Sequence, residues 1–261
     1  MTVETSAMLN STQRFSSRVA NYIKYRPDYP AAILDLLRKE CGLASTSVIT
    51  DIVSGTGILT DLFLKNGNPV FGVEPNREMR EAAENLLQKY LAFQSVPGTA
   101  EATTLPEHSV DMITASQAFH WFDRDAAHRE FLRILKPRGW VALIWNDRDI
   151  TSRPFLKAYE ELLLTYGTDY ESVGHKHVDA DVIGSFFGSI GFKQAVFPNK
   201  QVFDFDGLKG RLLSSSYAPE AGHPKHLPML DALDAIFREH QTGGKVTFEY
   251  DTTVYYGRLS S

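Results

Sequence analysis

Residues 51–57 read DIVSGTG, and this stretch links two different patterns of secondary structure. Residues 47–53, SVITDIV, form a β-branched run that predicts a strand, while residues 57–67, GILTDLFLKNG, predict a helix that ends at Gly67. Small residues at such a turn let a ligand approach main-chain N–H groups at the positive end of the helix. The stretch therefore predicts either a nucleotide-binding loop of an α/β fold or a tight turn that only needs its glycines.

Strand and helix patterns alternate along the first part of the chain. Strands of a few residues that alternate with helices of 10–15 residues indicate βαβ units and a parallel sheet covered on both faces. The predicted elements are a helix from Pro30 to about Glu40, a strand at 69–74, a helix after Pro75, a strand at 109–116, a helix capped by Asp123 that runs to about Leu135 and is ended by KPRG at 136–139, and a strand at 140–146.

The pattern becomes less regular after Asn146. A helix at 181–192 precedes strands near 193–204, and the alternating stretch KVTFEYDTTVYYGRL near the end of the chain predicts a final strand. We expect one domain over residues 1–261, with a cofactor-binding core at 15–150, lid and substrate segments at 150–180 and 206–240, and a flexible stretch at 1–14.

Bulk composition excludes several classes of function. The net charge is −5 and no long basic run occurs, which disfavours a general nucleic-acid binder. Cys41 is the single cysteine, so neither an intrachain disulfide nor a cysteine-based zinc site is expected. No run of about 18 apolar residues and no secretory signal are found. These observations predict a cytoplasmic protein without a membrane span. We expect a monomer or homodimer, although composition does not distinguish the two.

Glu74 strengthens the interpretation as a nucleotide-binding loop. It ends the second predicted strand, 23 positions after Asp51, close to the spacing of an acid that holds a ribose diol. Val53 is the unusual residue, because loops of the form D-x-G-x-G-x-G carry glycine there. We expect Val53 to be extended, as the last residue of a strand, where valine is favoured. If it instead needs a positive φ, the valine is strained and the ligand could have been lost.

Two other nucleotide-binding patterns fail at this loop. A dinucleotide site carries G-x-G-x-x-G, but Thr60 occupies the position of its last glycine. The P-loop pattern needs a lysine that is absent here. A nicotinamide-dependent oxidoreductase and a non-catalytic protein on the same fold stay open as alternatives.

Five blocks in order resemble the class I S-adenosylmethionine-dependent methyltransferases. They are DIVSGTG at 51–57, GVEPN at 72–76, GTAE at 98–101, SVDMITASQAFHWFD at 109–123 and LKPRGWVALIWN at 135–146. The resemblance covers roughly residues 15–150 and implies a Rossmann-like seven-stranded sheet, its last strand antiparallel, with a helical lid. FSSRVANYIKYRPDYP at 15–30 and GRLLSSSYAP at 210–219 resemble a subgroup with trans-aconitate-methyltransferase-like, cantharidin-methyltransferase-like and plant embryo-abundant-like members.

The resemblance implies S-adenosylmethionine as cofactor and assigns its contacts to named residues. Asp51, Ser54, Gly55 and Gly57 would surround its amino-acid end, Glu74 its ribose, Ala100 and Glu101 the adenine edge, and Ser116 and Gln117 the methionine side, while Tyr22, Tyr25 and Arg26 would close over it. Many relatives have aspartate where Thr99 stands here, so Thr99 or Glu101 would serve the adenine amino group instead.

His120 and Trp121, in QAFHWFD at 117–123, follow the fourth strand, where the reacting methyl should lie. Trp121 could face the sulfonium and His120 could act as general base, or both could have purely structural roles. We expect a small-molecule acceptor, in particular a carboxylic acid neutralised by Arg26 or an arginine of the lid. Four further histidines, in HKH and HPKH, are expected to be solvated loop residues rather than metal ligands: His175, His177, His223 and His226.

Overall fold

The computed structural model describes residues 19–150, 152–168, 170 and 179–260. Its seven-stranded sheet has the order β3-β2-β1-β4-β5-β7-β6, in which β7 runs antiparallel to both neighbours and the other pairings are parallel. The predicted Rossmann-like α/β fold is therefore confirmed. The strands are β1 Ile49–Ile52, β2 Val70–Val73, β3 Phe93–Val96, β4 Val110–Ser116, β5 Leu135–Arg148, β6 Phe192–Phe203 and β7 Val246–Gly257.

Helices cover both faces of this sheet. Because successive side chains of a strand point to opposite faces, Ile49 of β1 packs in one cluster and Ile52 in another. Helices α2, α3 and α4 cover the first face, whereas α5 and α7 cover the second. The described helices, numbered in chain order, are α1 Val19–Tyr25, α2 Ala32–Cys41, α3 Ile58–Lys65, α4 Arg77–Leu87, α5 Arg124–Ile134, α6 Pro154–Tyr166, α7 Ala180–Phe187, α8 Phe205–Leu213 and α9 His226–His240.

Short polar side chains start the helices that follow strands. Asp123 accepts a hydrogen bond from the Ala126 N–H at 3.1 Å, which confirms the predicted cap of α5. Asn76 caps α4 in the same way through the Met79 N–H at 2.9 Å. Such caps satisfy N–H groups that the helix itself leaves without a partner.

Two element boundaries differ from those predicted. β5 begins at Leu135 rather than at 140, because Leu135 already pairs with Val110 of β4. The register then shifts, and the next pair is Trp140 with Met112. KPRG is thus an irregular part of the strand, and Arg138 has φ 69° there. The predicted helix at 181–192 ends at Phe187, because Gly188 and Gly191, both with φ 74°, take conformations that an α-helix cannot continue through.

A third cluster of apolar side chains lies at the carboxyl end of the sheet. The antiparallel pair β6 and β7 extends past β5, whose last residue, Arg148, pairs with Tyr250. Helices α6, α8 and α9 pack on this extension through residues such as Tyr159, Leu208 and Leu233, which are fully buried. Their segments fall within the predicted lid at 150–180 and 206–240. None of the described helices is both long and apolar enough to cross a membrane.

Candidate active site

The ends of β1 and β2 are joined through the carboxylate of Glu74. Its Oε2 accepts a hydrogen bond from the Gly55 N–H at 2.9 Å and its Oε1 accepts one from the Asn76 N–H at 2.8 Å. Glu74 is 4% exposed, and burial raises the pKa of its carboxyl group while the two N–H donors partly offset that effect. A carboxylate oxygen can accept two hydrogen bonds, so each oxygen keeps one site for a ligand.

Val53 does not have the extended conformation expected from sequence. Its φ is 53°, in the left-handed region that β-branched residues rarely adopt, so that prediction is wrong. The turn at Val53 lets the next residue, Ser54, donate its N–H to the Val73 carbonyl at 3.1 Å. Pairing with β2 therefore continues past the end of β1, and this tertiary contact overrides the local preference of valine.

Both glycines of the loop meet a physical requirement. Gly55 has φ 58° and Gly57 has φ 86°. A residue with a Cβ atom would be destabilised in these left-handed conformations. A Cβ at Gly57 would also lie 2.6 Å from Leu87 Cδ1, so this glycine lets α4 pack against the start of α3.

Asp51 lies beneath the loop rather than on its surface. It is fully buried, and its carboxylate accepts hydrogen bonds from the Thr60 hydroxyl at 2.7 Å and the Thr114 hydroxyl at 3.1 Å. Burial raises the pKa of Asp51 to about 7, although both hydroxyl groups act in the opposite direction. Thr60, the residue that breaks the dinucleotide pattern, thus serves here as a donor to Asp51.

The loop after β3 carries the residues predicted to meet the adenine. Ala100 is fully buried, and the Thr99 N–H donates to the Ala102 carbonyl at 3.1 Å in a tight turn. Glu101 reaches towards the start of α5, where its Oε1 accepts a hydrogen bond from the Asp123 N–H at 3.1 Å. Glu101 therefore anchors this loop to α5.

The end of β4 shows a second unusual backbone conformation. Gln117 has φ 55°, its N–H donates to the Ile144 carbonyl at 3.0 Å, and its side-chain amide donates to the Asn146 carbonyl at 3.2 Å. Ser116, the last residue of β4, hydrogen-bonds the side chain of Tyr29, and burial raises the pKa of that tyrosine. Strained residues of this kind are found most often at functional sites.

A pocket of about 260 Å³ opens beside Gln117, between the ends of the strands and the helices α6 and α8. It brings together five of the residues predicted from sequence, namely Tyr22, Arg26, Gln117, His120 and Trp121. The ring centres of His120 and Trp121 lie 4.6 Å apart, and Trp121 also packs against the core. Trp121 therefore lines the pocket and contributes to core packing as well.

Tyr25 does not line this pocket. Its ring packs against α8 and lies 6.5 Å from the ring of Phe203, within the cluster under the lid. The neighbouring Arg26 turns the other way, into the pocket, where its guanidinium lies 4.9 Å from the centre of the Tyr22 ring.

Two further arginines, which the sequence patterns did not single out by number, line the same pocket. Arg148 ends β5 and forms a buried ion pair with Glu160 of α6. Arg211 of α8 is 5% exposed and donates hydrogen bonds to the hydroxyl groups of Tyr250 at 3.4 Å and Ser215 at 3.2 Å. Arg211 lies in the quoted stretch GRLLSSSYAP, whereas Arg148 follows a strand without any distinguishing motif.

The positive charges of three arginines act on the hydroxyl group of Tyr217. Burial alone would raise the pKa of its hydroxyl group, but the charges of Arg211, Arg148 and Arg26 lower that pKa below its usual value. Burial and the charge of Arg211 in turn lower the pKa of Arg26. The Arg26 Nη2 donates to the Ser214 carbonyl at 3.0 Å, while its buried Nε has no acceptor among the described residues. This end of the pocket therefore favours an anion.

The described histidines do not form a metal site. Nδ1 of His223 accepts a hydrogen bond from the Lys225 N–H at 3.1 Å, and Nδ1 of His226, the first residue of α9, lies 2.8 Å from the Pro219 carbonyl. His175 and His177 lie outside the described residues. Within the described ranges, no group of three or more His, Cys, Asp or Glu side chains could hold a metal ion.

Comparison with known proteins identifies the family. A methyltransferase-domain family model matches residues 50–143. An uncharacterized methyltransferase of Schizosaccharomyces pombe is 35% identical over 246 residues, which cover 92% of this chain and 95% of that protein. A Saccharomyces cerevisiae protein assigned as an S-adenosylmethionine-dependent methyltransferase is 30% identical over 128 residues, 47% of this chain and 43% of that one.

A solved structure assigned as a type II methyltransferase from Anaeromyxobacter dehalogenans has the same fold. Its TM-score is 0.68 at 20% identity, over 91% of this chain and 100% of that one. Sheet order, family match and near full-length relatives agree, and the chain belongs to the class I S-adenosylmethionine-dependent methyltransferases.

Proposed function

We propose that this methyltransferase acts on a small-molecule acceptor that carries a carboxylate, bound in the pocket beneath the lid. The observation that carries this proposal is the pair Arg26, half-buried with its Nε buried, and Arg211, which is buried. The hydrogen-bond acceptors of both cations within the described chain are neutral carbonyl and hydroxyl oxygens. Buried charges of one sign raise each other's free energy, and a bound anion relieves that cost.

The residues at the carboxyl ends of the strands fit the cofactor that the family requires. Glu74 keeps one hydrogen-bonding site on each oxygen for the two ribose hydroxyls, and the Cβ-free Gly55 leaves its backbone open to a ligand. When bound, S-adenosylmethionine supplies a methyl group on a positively charged sulfur. The predicted contacts that we keep as proposals are Tyr22, Arg26, Ser54, Gly57, Ala100, Glu101, Ser116 and Gln117.

For the two other predicted contacts, Asp51 and Tyr25, the geometry supports a structural role instead. Asp51 is fully buried and hydrogen-bonded to two threonines, so we assign it to holding β1 and α3 in place beneath the cofactor. Tyr25 packs on α8, so we assign it to seating α1 rather than to touching the cofactor.

The charges of the described residues that line the pocket favour a carboxylate. Arg148 is paired with Glu160, and the rest of this lining carries the two cations Arg26 and Arg211 and one acid, Asp147. A carboxylate on the ligand therefore adds negative charge where the described cations outnumber the acids. Arginine suits this task because its planar group donates two parallel hydrogen bonds to a carboxylate. The subgroup resemblance of residues 15–30 and 210–219 points to small carboxylic acids as well.

The alternative is a neutral acceptor, such as a phenol or an amine. That acceptor would need a base, and His120 is the histidine that lines this pocket. A carboxylate is ionised at neutral pH and needs none, so His120 and Trp121 would then shape the pocket.

The experiment measures S-adenosylhomocysteine formation with a panel of small carboxylic acids and the matching amides. We expect turnover of acids but not amides, a flat rate from about pH 6 to 8, and most activity retained in His120→Ala. Arg211→Met should raise KM for the acid at least tenfold, whereas Arg77→Met, at a side chain 79% exposed, should not. Turnover of neutral acceptors with a histidine-like pH profile that His120→Ala abolishes would overturn the proposal.

A further inference from the structure

Gly210 lies inside α8 at a point where no side chain fits. A Cβ built there would lie 2.0 Å from Cε2 of Tyr25 and 2.4 Å from Cδ2 and Cζ of the same ring. Gly210 has no positive φ, so backbone conformation does not require glycine here. Glycine within a helix costs about 1 kcal/mol relative to alanine. What it permits is close contact between α8 and the aromatic ring at the end of α1.

Hydrogen bonds fasten the same two helices around this contact. The Arg26 Nη2 donates to the carbonyl of Ser214 at the C-cap of α8, at 3.0 Å. The side-chain amide of Gln201, near the end of β6, donates to the carbonyl of Tyr25 at 3.2 Å. That carbonyl and the one at Ser214 are helix-end acceptors that need partners. The end of α1 is therefore held by β6 and α8 together.

The same connections reach the arginine of the acceptor pocket. Gln201 Oε1 accepts a hydrogen bond from the Tyr250 hydroxyl at 2.9 Å, and the oxygen of that hydroxyl accepts one from Arg211 Nε at 3.4 Å. Arg211 directly follows Gly210 in α8. Any shift of α8 away from Tyr25 would thus move Arg211 within the pocket, which Tyr22 of α1 also lines.

We infer that Gly210 is a positioning residue whose contact with Tyr25 couples cofactor binding under α1 to the placement of Arg211 for the acceptor. This inference rests on the proposed function, which places α1 over the cofactor. The cofactor site and the acceptor pocket both depend on this contact between α1 and α8. A ligand that orders one site therefore stabilises the other, and each ligand changes the affinity for the other by the same factor.

Amide hydrogen exchange of the full chain, with and without S-adenosylhomocysteine, tests the coupling without needing the acceptor. In the wild type we expect the ligand to slow exchange at residues 53–57 and 72–76, and also in α1 and α8. In Gly210→Ala the ligand should still slow exchange at 53–57 and 72–76 but not in α8. The dissociation constant of S-adenosylhomocysteine should rise about tenfold.

Gly184→Ala is the matched control, because this glycine also lies inside a helix but its Cβ would meet only Phe192 Cε1 at an ordinary 3.7 Å. It should behave as the wild type. Should Gly210→Ala fail to fold, Gln201→Ala removes the hydrogen bonds of Gln201 to the Tyr25 carbonyl and the Tyr250 hydroxyl, and it should reduce protection of α8 in the same way.

The outcomes separate the two proposals. Ligand protection that never reaches α8 in the wild type, or that survives there in Gly210→Ala, overturns the coupling while leaving the cofactor site intact. Absence of protection at 53–57 and 72–76 overturns the proposed cofactor placement itself.

Discussion

Glu74 Oε2 and the Gly55 N–H form a hydrogen bond of 2.9 Å that joins the end of β2 to the loop after β1. The other oxygen is fixed by the Asn76 N–H at the start of α4. One buried carboxylate thus sets the geometry of the loops after β1 and β2. These loops lie beside the point between β1 and β4 where the strand order reverses, which is where open α/β sheets bind their ligands.

Replacing Glu74 with alanine should weaken cofactor binding. Loss of hydrogen bonds from the ribose to a charged group costs roughly 1.5–3 kcal/mol, or about 10- to 150-fold in the dissociation constant. Titration calorimetry with S-adenosylhomocysteine measures it. Glu78→Ala, an exposed acid in the first turn of α4, should bind as the wild type. Normal binding by Glu74→Ala would show that the ribose assignment is wrong.

The raised pKa of Asp51 should make the free energy of unfolding depend on pH. The folded value is about 7 and the unfolded value 3.8, so the folded state holds this proton more tightly. The contribution of protonated Asp51 to the free energy of unfolding is therefore fully present below pH 3.8 and is lost as the pH rises through 7.

Asp51→Asn removes this ionisation, so its stability relative to the wild type should rise between pH 4 and pH 7.5, on the order of 2–4 kcal/mol. Urea unfolding across that range measures the difference. Asp35→Asn, at a side chain 79% exposed, is the control and should follow the wild type. A constant difference between Asp51→Asn and wild type would contradict the raised pKa.

Removing one partner of the buried ion pair between Arg148 and Glu160 should cost far more stability than removing one partner of a surface pair. Both side chains are 10% exposed, and Glu160 Oε2 also accepts from the Tyr170 hydroxyl at 2.6 Å. Glu160→Ala leaves a buried charge unpaired, which costs about 3–5 kcal/mol. Glu81→Ala breaks the exposed pair with Arg77 and should cost less than about 1 kcal/mol. Denaturant unfolding compares them, and equal costs would refute the expectation.

The sequence was sufficient for the features that depend on local pattern. Alternating strands and helices predicted the parallel sheet, and the short acid Asp123 predicted the start of α5. The pocket was harder to predict from the sequence. Its arginines, Arg26, Arg148 and Arg211, come from three distant segments and meet only through packing of α1, β5 and α8. Backbone conformation at Val53 was also missed, since local preference gives no indication of the contact between Ser54 and β2.

Val53 provides the sharpest test of the loop, because substitutions there should reverse the usual order of stability. With φ 53°, any residue that has a Cβ atom pays about 1–2 kcal/mol for the left-handed conformation, and glycine does not. Val53→Ala loses the packing of the half-buried valine side chain and keeps the backbone strain. Val53→Gly loses the same packing but has no such strain. We therefore expect Val53→Gly to be more stable than Val53→Ala by about 1 kcal/mol, measured by urea unfolding. At Gly184, which has no positive φ, alanine should instead be the more stable residue. Equal or greater stability of Val53→Ala would show that the valine is not held in the left-handed region.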